Sequence, residues 1–369
     1  MKIGILGTRG VPNHHGGFEQ FAEFFSEYLY KNEHEVYVYN SNKHPYQKKT
    51  YNGVNIIHCY DPEDKIGTPG QFIYDLNCII DSRKRDFDIL LQLGYTSSTI
   101  WHRLLPSKTI LITNMDGLEW KRSKYSKPVQ GFLKYAEKLA VKSSDYLIAD
   151  SIGIQSYLSK RYNIHSKYIA YGAEQFDNPD INALTEYNVT AYNYNMLIAR
   201  LEPENNIEII LDGVAMSNED STFIVVGKHD VNTFGMYLKN KFKNYENIRF
   251  VGGIYNLEKL NNLRYYSNLY FHGHSVGGTN PSLLEAMSSR ALIVANDNDF
   301  NKSILGSHAF YFNTSKDVKF HIEKTLKINE SDKVENCFNL INLKFSWDII
   351  NKKYLDFFYE CKEKDSISN

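Results

Sequence analysis

The feature that most constrains the fold is a unit of strand, glycine loop, helix and strand between residues 268 and 295. The apolar run from Asn268 to His272 predicts a buried strand, and a second is expected from Ala291 to Ala295. Gly277 and Gly278 predict a tight loop after the first strand. Units of this kind build parallel sheets, in which the carboxyl ends of the strands line a ligand crevice.

The helix of this unit is predicted to begin at Asn280 and Pro281. Asparagine caps free N–H groups, and proline lacks the N–H that would be left unpaired there. The remaining N–H groups of the first turn favour an anion such as a phosphate. Glu285, one turn into the helix, has two interpretations. It either complements the helix dipole or accepts hydrogen bonds from a ribose whose phosphates lie at the helix start.

The sequence GGTNPSLLEAM resembles the donor-site signature of the family-4 type of GT-B glycosyltransferases. That family usually carries two glutamates eight positions apart, and Glu285 matches the second, which binds ribose. Gly277 stands at the position of the first glutamate, which is a departure from the family pattern. The longer sequence HGHSVGGTNPSLLEAM is similar to a subgroup of bacterial polysaccharide glycosyltransferases that includes retaining β-1,4-rhamnosyltransferases. The resemblance covers nearly the whole chain.

Length and composition are consistent with a globular protein. The 369 residues indicate two domains, and a net charge of −1 gives no indication of a nucleic-acid partner. The four cysteines are far apart and form no CxxC pair, which fits a reducing cytoplasm. The sequence shows neither the apolar core of a signal peptide nor an apolar run of about 18 residues, the length that spans a bilayer. We therefore expect a cytoplasmic protein, with peripheral contact at the inner face of the cell membrane.

The start of the chain reads as strand, glycine loop, helix and strand. Its glycines do not fit G-x-G-x-x-G, and the second strand ends at Asn40 and Ser41 without an acid for an adenosine ribose. Both observations disfavour a nucleotide-sugar epimerase or NAD(P) dehydrogenase. Gly16 and Gly17 match the glycine pair that lies against the donor phosphate and the acceptor in the resembled family. Glycine allows backbone amides to approach a ligand closely; the alternative is that these glycines only make turns.

A polar segment follows the strand expected at Thr109 to Asn114. Asp116 and Glu119 are candidate site carboxylates there, because the carboxyl end of a strand faces the crevice in open α/β sheets. The alternatives are a turn aspartate and a helix-start glutamate. Many relatives have a histidine near this place that touches the donor sugar. Asp116 stands in that position here, so the histidine's role cannot be transferred.

Residues 120–142 combine seven lysines and arginines with interleaved apolar residues. One interpretation is a solvated helix face. The other is a basic surface that rests on anionic lipid headgroups, which would suit an acceptor carried on a lipid. The interleaved apolar residues are Trp120, Phe132, Leu133, Tyr135 and Leu139.

The second half of the chain contains a further set of matches. ARLEPENN resembles the R-L-x-P-E-K-G element of the family, and Arg200 matches the arginine that pairs with the donor diphosphate. The usual lysine five positions later is Asn205, and Lys228 is a candidate replacement. A surface arginine at a strand end is the alternative for Arg200. Ile254 matches backbone that lies beside the nucleotide base in relatives.

The predicted fold is α/β of the GT-B type, with two Rossmann-like domains whose parallel sheets face a central cleft. The domains are 1–173 on the acceptor side and 194–345 on the nucleotide-sugar side, joined by a linker at 174–193. The first domain is expected to end with a strand at Ile169 to Ala173. A C-terminal helix within 346–369 is expected to cross back to the first domain.

The predicted function is metal-independent, retaining transfer of a sugar, first L-rhamnose from dTDP-rhamnose, to a hydroxyl of a lipid-diphosphate-linked glycan. We expect no cofactor, because the nucleotide sugar is a substrate. The alternatives are a UDP-hexose donor and a non-catalytic nucleotide-sugar-binding protein. The predicted catalytic residues are Arg200, Asp116 and Glu285. The predicted substrate-binding residues are Gly16, Gly17, Glu119, Lys228, Ile254, Gly277, Gly278, Thr279, Asn280 and Leu284.

Overall fold

The computed structural model describes residues 1–14, 16–122, 125–275 and 278–368. Over these ranges the chain divides into two compact units. Unit 1 comprises 1–121, 125–171 and the residues from Trp347 onwards, and unit 2 comprises Arg122 and 172–346. Each unit contains a sheet with helices, so the predicted two-domain α/β fold with parallel sheets is confirmed.

The sheet of unit 1 is parallel except at one edge. Its strands are β1 (Lys2–Leu6), β2 (Glu35–Ser41), β3 (Thr50–Tyr51), β4 (Val54–Cys59), β5 (Ile89–Leu93), β6 (Ile110–Asn114), β7 (Tyr146–Ala149) and β8 (Lys167–Tyr168). In the described part of the unit their order is β3-β4-β2-β1-β5-β6-β7-β8. Only the short β3 runs antiparallel to its neighbour among these strands. The central strands β5 and β6 are buried along their whole length and mostly apolar, because both faces of the sheet are covered.

The helices of unit 1 alternate with its strands. They are α1 (Gly17–Lys31), α2 (Glu63–Ile66), α3 (Pro69–Ser82), α4 (Lys127–Ser143) and α5 (Ile152–Tyr162), with 3-10 turns at Thr99–Leu104 and Glu119–Lys121. In α1, Phe21, Phe25 and Leu29 recur every four residues and are all buried. This spacing gives the helix one apolar face against the unit's core.

The sheet of unit 2 is parallel throughout its described strands. These are β9 (Tyr194–Ile198), β10 (Thr222–Val226), β11 (Ile248–Gly252), β12 (Leu269–His272), β13 (Ile293–Asn296) and β14 (Phe310–Phe312). Their order is β11-β10-β9-β12-β13-β14. β9 therefore lies at the centre between β10 and β12, and the loops that leave these three strands emerge at the same edge of the sheet.

Seven α-helices are described in unit 2. They are α6 (Ile207–Met216), α7 (Thr233–Lys241), α8 (Leu257–Tyr266), α9 (Pro281–Ser288), α10 (Asp299–Leu305), α11 (Ser315–Lys324) and α12 (Ser331–Leu340). Short helical turns lie at Ile181–Tyr187, Pro203–Asn205 and Lys327–Asn329, and a π-helical turn at Ile341–Phe345. One apolar core joins the sheet to α6 and α11, through residues such as Leu211, Phe271 and Val318.

The last helix, α13 (Trp347–Ser368), belongs to unit 1. It packs against α1 through aromatic rings, with centroids 4.6 Å apart for Phe21 and Tyr354 and 5.6 Å apart for Phe25 and Phe358. The Tyr354 hydroxyl also accepts a hydrogen bond from the Asn114 side chain at 2.8 Å. The final helix therefore completes the core of the first unit.

Two segments differ from the predictions. The strand expected at 169–173 is displaced to β8, and Ala173 makes only an isolated bridge to Ser346. Ile169, Ala170 and Ala173 are buried, so their apolar character reflects packing rather than a strand. The predicted linker 174–193 lies in unit 2 and contains the 3-10 turn Ile181–Tyr187. Its apolar residues Leu184 and Tyr187 are buried, which ties the segment to that unit.

Candidate functional site

The described part of the loop between β1 and α1, residues 7–14 and 16, is held by side chains from elsewhere in unit 1. The buried Asn40 side chain accepts a hydrogen bond from the Val11 N–H at 3.1 Å and donates one to the Val11 carbonyl at 2.8 Å. Glu23 accepts the N–H of Asn13 at 2.7 Å. Because these bonds fix the loop in advance, a ligand that binds there has little ordering cost to overcome.

Gly16 and Gly17 lie where this loop enters α1. Gly16 has an extended backbone, with φ 176°, and a Cβ built there would be 3.7 Å from the Glu19 carboxylate, the one described neighbour within 4 Å. Such a contact is ordinary, so packing in the described structure does not require glycine at this position. The absence of a side chain instead leaves room beside the backbone for a ligand.

The segment after β6 carries the two predicted carboxylates of unit 1. Asp116 has a left-handed backbone, with φ 49°, and its N–H donates to the Asn114 side chain at 2.9 Å. Asn114 is itself bonded to Tyr354 of α13. Glu119 follows at the start of the turn Glu119–Lys121 and is half-buried. The structure thus places both carboxylates on one short loop at the carboxyl end of a buried strand.

Glu137, which the sequence analysis did not identify, holds the far end of this loop. It is buried in α4 and accepts hydrogen bonds from Trp120 Nε1 at 3.1 Å, the Tyr157 hydroxyl at 2.8 Å and the Tyr162 hydroxyl at 2.6 Å. Burial and this carboxylate raise the pKa of Tyr162 to about 12, so the phenol remains a donor. Glu137 is therefore a positioning residue for Trp120 and the loop before it.

Replacing Glu137 with alanine should lower the free energy of unfolding by about 3 kcal/mol, because three half-buried donors would lose a shared buried acceptor. Urea denaturation followed by circular dichroism measures this change. Glu137→Gln is the matched control, since it keeps one acceptor oxygen and should lose less. An alanine variant as stable as the wild type would show that the three hydrogen bonds contribute nothing net.

In the described part of the basic segment 120–142, the structure distinguishes exposed from buried side chains. Lys127, Lys134, Lys138 and Lys142 of α4 are exposed, while Leu133 is buried. Trp120 points its indole N–H at Glu137, and Lys134 Nζ lies 4.2 Å from its ring centroid. Leu133 and Trp120 thus face the protein, whereas the prediction placed them at the edge of an exposed basic surface. Of the large apolar residues near this surface, Tyr135 and Val129 are exposed. No helix in the described ranges is long and apolar enough to cross a membrane.

In unit 2, Arg200 stands at the exit of the central strand β9 with an exposed side chain. Asn205, at the position of the family lysine, is buried and donates its side-chain N–H to the Arg200 carbonyl at 2.7 Å. The Glu202 N–H donates to the same carbonyl at 2.8 Å. Asn205 therefore cannot replace the positive charge of the family lysine. Its hydrogen bond instead fixes the backbone at Arg200.

The loop after β12 is tied to the loop after β9. The Ser275 N–H and hydroxyl both donate to the Glu204 carbonyl, at 3.1 Å and 2.7 Å, and the Asn206 side chain donates to the Gly273 carbonyl at 2.8 Å. A Cβ on Gly273 would lie 2.0 Å from the Asn205 carbonyl oxygen. Only glycine fits this close approach, which brings the exits of two adjacent strands together.

Glu285 is held by a buried arginine that the sequence analysis missed. Arg264 of α8 is 1% exposed, and its Nη2 donates to Glu285 Oε2 at 2.6 Å. The same guanidinium donates to Asn261 at 2.8 Å and to the Ser282 hydroxyl at 3.2 Å. Glu285 keeps 20% exposure, so one carboxylate oxygen is fixed while the group still reaches the surface. A carboxylate held this way is a preorganised acceptor for hydroxyl groups.

The predicted start of α9 is present. Asn280 caps the helix by accepting the Ser282 N–H at 2.9 Å, and Pro281 is its first residue. Thr279 is buried and Gly278 is half-buried. Gly277, also a predicted contact, lies outside the described residues.

Leu284, a predicted substrate contact, lies in the first helical turns of α9. Its side chain is fully buried, and its N–H donates to the Asn280 carbonyl at 3.3 Å. The residue therefore packs the helix against the core.

Lys228 and Ile254 follow β10 and β11, at the same edge of the sheet as Arg200. Lys228 is exposed, and its Nζ lies 5.4 Å from the centroid of the Tyr255 ring. Ile254 is half-buried, beside Tyr255, which is 79% exposed. The structure thus gathers Arg200, Lys228 and Ile254 on neighbouring strand exits.

A second feature missed in the sequence is a pair of histidines on β12 and its exit. His272 is buried, and the rings of His272 and His274 are stacked with centroids 4.4 Å apart. Burial, with the nearby positive charge of Arg200, lowers the pKa of His274 to about 3, so the ring is neutral at physiological pH. The alternation of Tyr270, His272 and His274 in the sequence was a usable signal, because alternate residues of a strand share a face.

The chemistry available differs between the units. Unit 2 combines an exposed cation with a fixed carboxylate, Arg200 and Glu285, at the carboxyl edge of its sheet. Unit 1 presents a fixed glycine loop and two carboxylates, Asp116 and Glu119, at the carboxyl edge of its own sheet. Within the described ranges, no group of three or more His, Cys, Asp or Glu residues is arranged to hold a metal ion.

Two family models match the chain. Residues 1–174 match a family described as Domain of unknown function (DUF1972). Residues 188–337 match a family described as Glycosyl transferases group 1. A comparison with curated protein sequences gave no match.

Several solved structures are similar over nearly their full length. A sucrose-phosphate synthase from Thermosynechococcus elongatus is 14% identical, with a TM-score of 0.79 over 97% of this chain and 98% of that one. HepE from Anabaena, solved with UDP and glucose, is 16% identical, with a TM-score of 0.74 over 98% of this chain and 100% of that one. An α,α-trehalose 6-phosphate synthase from Burkholderia multivorans is 10% identical, with a TM-score of 0.72 over 100% and 98%. These likenesses establish the fold as GT-B.

Proposed function

We propose that this glycosyltransferase, whose residues 188–337 match the group 1 family, moves L-rhamnose from dTDP-rhamnose to a hydroxyl group of a lipid-diphosphate-linked glycan. Such a step belongs to the assembly of bacterial surface polysaccharides, such as a capsule or cell wall. The rhamnose assignment follows the resemblance of residues 272–287 to rhamnosyltransferases. A UDP-hexose is the second candidate donor, since HepE was solved with UDP and with UDP-glucose.

The observation that carries this proposal is the arrangement of Arg200 and Glu285 in unit 2. Arg200 is an exposed guanidinium at a strand exit, and its fork of donors matches the oxygens of a diphosphate. Glu285 is a carboxylate fixed by Arg264 in the second turn of α9. A nucleoside diphosphate carries both complementary groups, phosphates for the arginine and ribose hydroxyls for the glutamate.

The proposed reaction retains the configuration of the sugar. The bond between the anomeric carbon and the diphosphate oxygen breaks, and the acceptor oxygen attacks the same face of the sugar. The acceptor proton passes to the departing phosphate oxygen, so no enzyme nucleophile is needed. Arg200 stabilises the negative charge that develops on the leaving group, as a preorganised cation. The proposal includes neither a metal nor a cofactor.

The role of unit 1 in this proposal is to bind the acceptor. The fixed residues 7–14 of the loop after β1, and the space beside Gly16, suit the approach of a bulky hydroxyl-bearing ligand. Asp116 is assigned to orient the acceptor hydroxyl or the sugar ring, and Glu119 to contact the substrate, because both lie at the carboxyl end of β6.

The test is transfer from a panel of nucleotide sugars to a synthetic lipid-diphosphate sugar, read by mass spectrometry. The panel contains dTDP-rhamnose, UDP-glucose, UDP-galactose and UDP-N-acetylglucosamine. We expect a product with dTDP-rhamnose, in which the anomeric configuration of the donor is retained when examined by NMR. Transfer from a UDP-sugar alone would replace the rhamnose assignment, and an inverted product would overturn the retaining mechanism.

We further propose that α4 brings unit 1 to the inner face of the cell membrane, where a lipid-linked acceptor resides. The exposed lysines of α4 support this, since each basic residue near an anionic surface contributes about 1 kcal/mol. Tyr135, 57% exposed on the same helix, offers a ring suited to the headgroup region.

Changing Lys127, Lys138 and Lys142 together to alanine should therefore weaken binding to phosphatidylglycerol vesicles by roughly 100-fold, at about 1 kcal/mol per lysine. Vesicle co-sedimentation at low and high salt measures the effect, which salt should reduce. The control removes three exposed lysines of unit 2, Lys243, Lys316 and Lys324. Equal losses in both triple variants would show that α4 is no preferred membrane contact.

A further inference from the structure

Three aromatic rings, those of Tyr270, His272 and His274, lie in a row along one face of β12 and its exit. We call this row the ladder. The ring centroids of Tyr270 and His272 are 6.5 Å apart at an interplanar angle of 23°, and those of His272 and His274 are 4.4 Å apart at 14°. Alternate residues of a strand point to the same side, so this stacking follows from the local backbone. The ladder fixes the plane of the His274 ring.

The Tyr270 end of the ladder contacts the residues that hold Glu285 in place. The Tyr270 hydroxyl lies 2.8 Å from the Ser282 hydroxyl, which accepts a hydrogen bond from Arg264 at 3.2 Å. Arg264 in turn binds Glu285 at 2.6 Å. The ladder is therefore connected by hydrogen bonds to Arg264, which holds Glu285, the residue proposed to bind the ribose.

The His274 end of the ladder lies beside Arg200. The His274 carbonyl accepts hydrogen bonds from the side chains of Asn298 at 3.0 Å and Asn301 at 3.1 Å, which fix its backbone. The next residue, Ser275, is bonded to Glu204 in the loop that follows Arg200. The electrostatic influence of Arg200 on His274 agrees with this proximity.

The ring nitrogens of this pair have unused hydrogen-bonding capacity. His272 is 1% exposed, and within the described residues neither of its ring nitrogens has a hydrogen-bond partner; the buried Nδ1 of His274 has none there either. Buried polar groups are nearly always paired, so an unpaired set next to a proposed ligand site calls for a functional explanation. A phosphate oxygen is an acceptor that a neutral imidazole N–H can bind.

We propose that His274 is a further donor-binding residue, whose imidazole N–H hydrogen-bonds the donor's diphosphate beside Arg200. This inference rests on the proposed nucleotide-sugar donor. Asn205 supplies no cation, and a neutral donor adds a hydrogen bond without the repulsion that a second cation would experience next to Arg200. His272 acts through His274, as the ring that holds its orientation.

The experiment compares the binding of UDP, dTDP, UMP and dTMP to the full chain by isothermal titration calorimetry. His274→Phe keeps a ring to stack on His272 but has no N–H, whereas His274→Gln keeps an N–H donor. We expect the phenylalanine variant to bind the diphosphates at least tenfold more weakly and the monophosphates within twofold of wild type. The glutamine variant should recover most of the diphosphate affinity. His165→Phe, at an exposed position of unit 1, is the control.

Two outcomes would overturn the role of His274 alone. One is wild-type diphosphate affinity in His274→Phe, and the other is an equal loss of diphosphate and monophosphate affinity, which would indicate a structural role. A wild-type protein that binds neither UDP nor dTDP would overturn the proposed function as well. If the phenylalanine variant does not fold, NMR of ring-labelled histidine in the wild type decides. The His274 signal, assigned with His274→Gln, should shift with UDP and not with UMP.

Discussion

Replacing Arg200 with alanine should lower kcat/KM for the nucleotide sugar by roughly 100- to 1,000-fold, the loss typical when one preorganised group that stabilises a developing anion is removed. The side chain is exposed at the exit of β9, and no described ion pair involves it, so stability should change little. The effect should appear mainly in kcat, because the charge on the departing diphosphate is largest in the transition state.

Initial-rate measurements with the best donor of the panel test this expectation. Arg200→Lys keeps the positive charge but not the two-pronged geometry, and should recover only part of the rate. Arg103→Ala, which removes an exposed arginine from unit 1, is the control for a general loss of positive charge. A folded Arg200→Ala protein with wild-type kcat/KM would remove Arg200 from the site.

A loss of stability as large as that of Glu137→Ala is expected from Glu285→Ala. Arg264 is 1% exposed, and without Glu285 its guanidinium would remain buried with neutral partners alone among its described hydrogen bonds. Removing one partner of a buried ion pair lowers the free energy of unfolding by about 3–5 kcal/mol. Because Glu285 is 20% exposed, we expect a loss near the lower end of this range, about 3 kcal/mol. Urea denaturation of both proteins measures the difference.

A double variant separates the two roles of Glu285. Arg264→Met combined with Glu285→Ala removes the buried charge, so much of the lost stability should return. Transfer activity should not return, because the ribose would still lack its carboxylate acceptor. Recovery of both stability and activity would show that Glu285 serves the fold alone, and unchanged stability in Glu285→Ala would show that the ion pair contributes nothing net.

The sequence was most informative where one element decides its own structure. The strands predicted at Asn268–His272 and Thr109–Asn114 agree with β12 and β6 to within one residue, because strands buried on both faces read as mostly apolar runs. The start of α9 was equally predictable, since Asn280 and Pro281 act on the residues next to them.

The parts that could not be predicted depend on contacts between distant residues. Arg264 and Glu285 are 21 positions apart and lie on different helices, so no local pattern reveals their bond. Asn205 shows the same limit, because only the fold reveals that its side chain binds the Arg200 carbonyl. The apolar run 169–173 was misread as a strand because burial alone produces the same pattern.

The packing of α13 on α1 has a consequence for how the protein is made. The first 171 residues emerge from the ribosome long before Trp347 is synthesised. During most of synthesis, Phe21 and Phe25 of α1 therefore lack the rings of Tyr354 and Phe358, which cover them in the folded protein. α13 can cover this aromatic surface only once the rest of the polypeptide has been translated. Unit 1 can therefore be completed only after the whole of unit 2 has been synthesised.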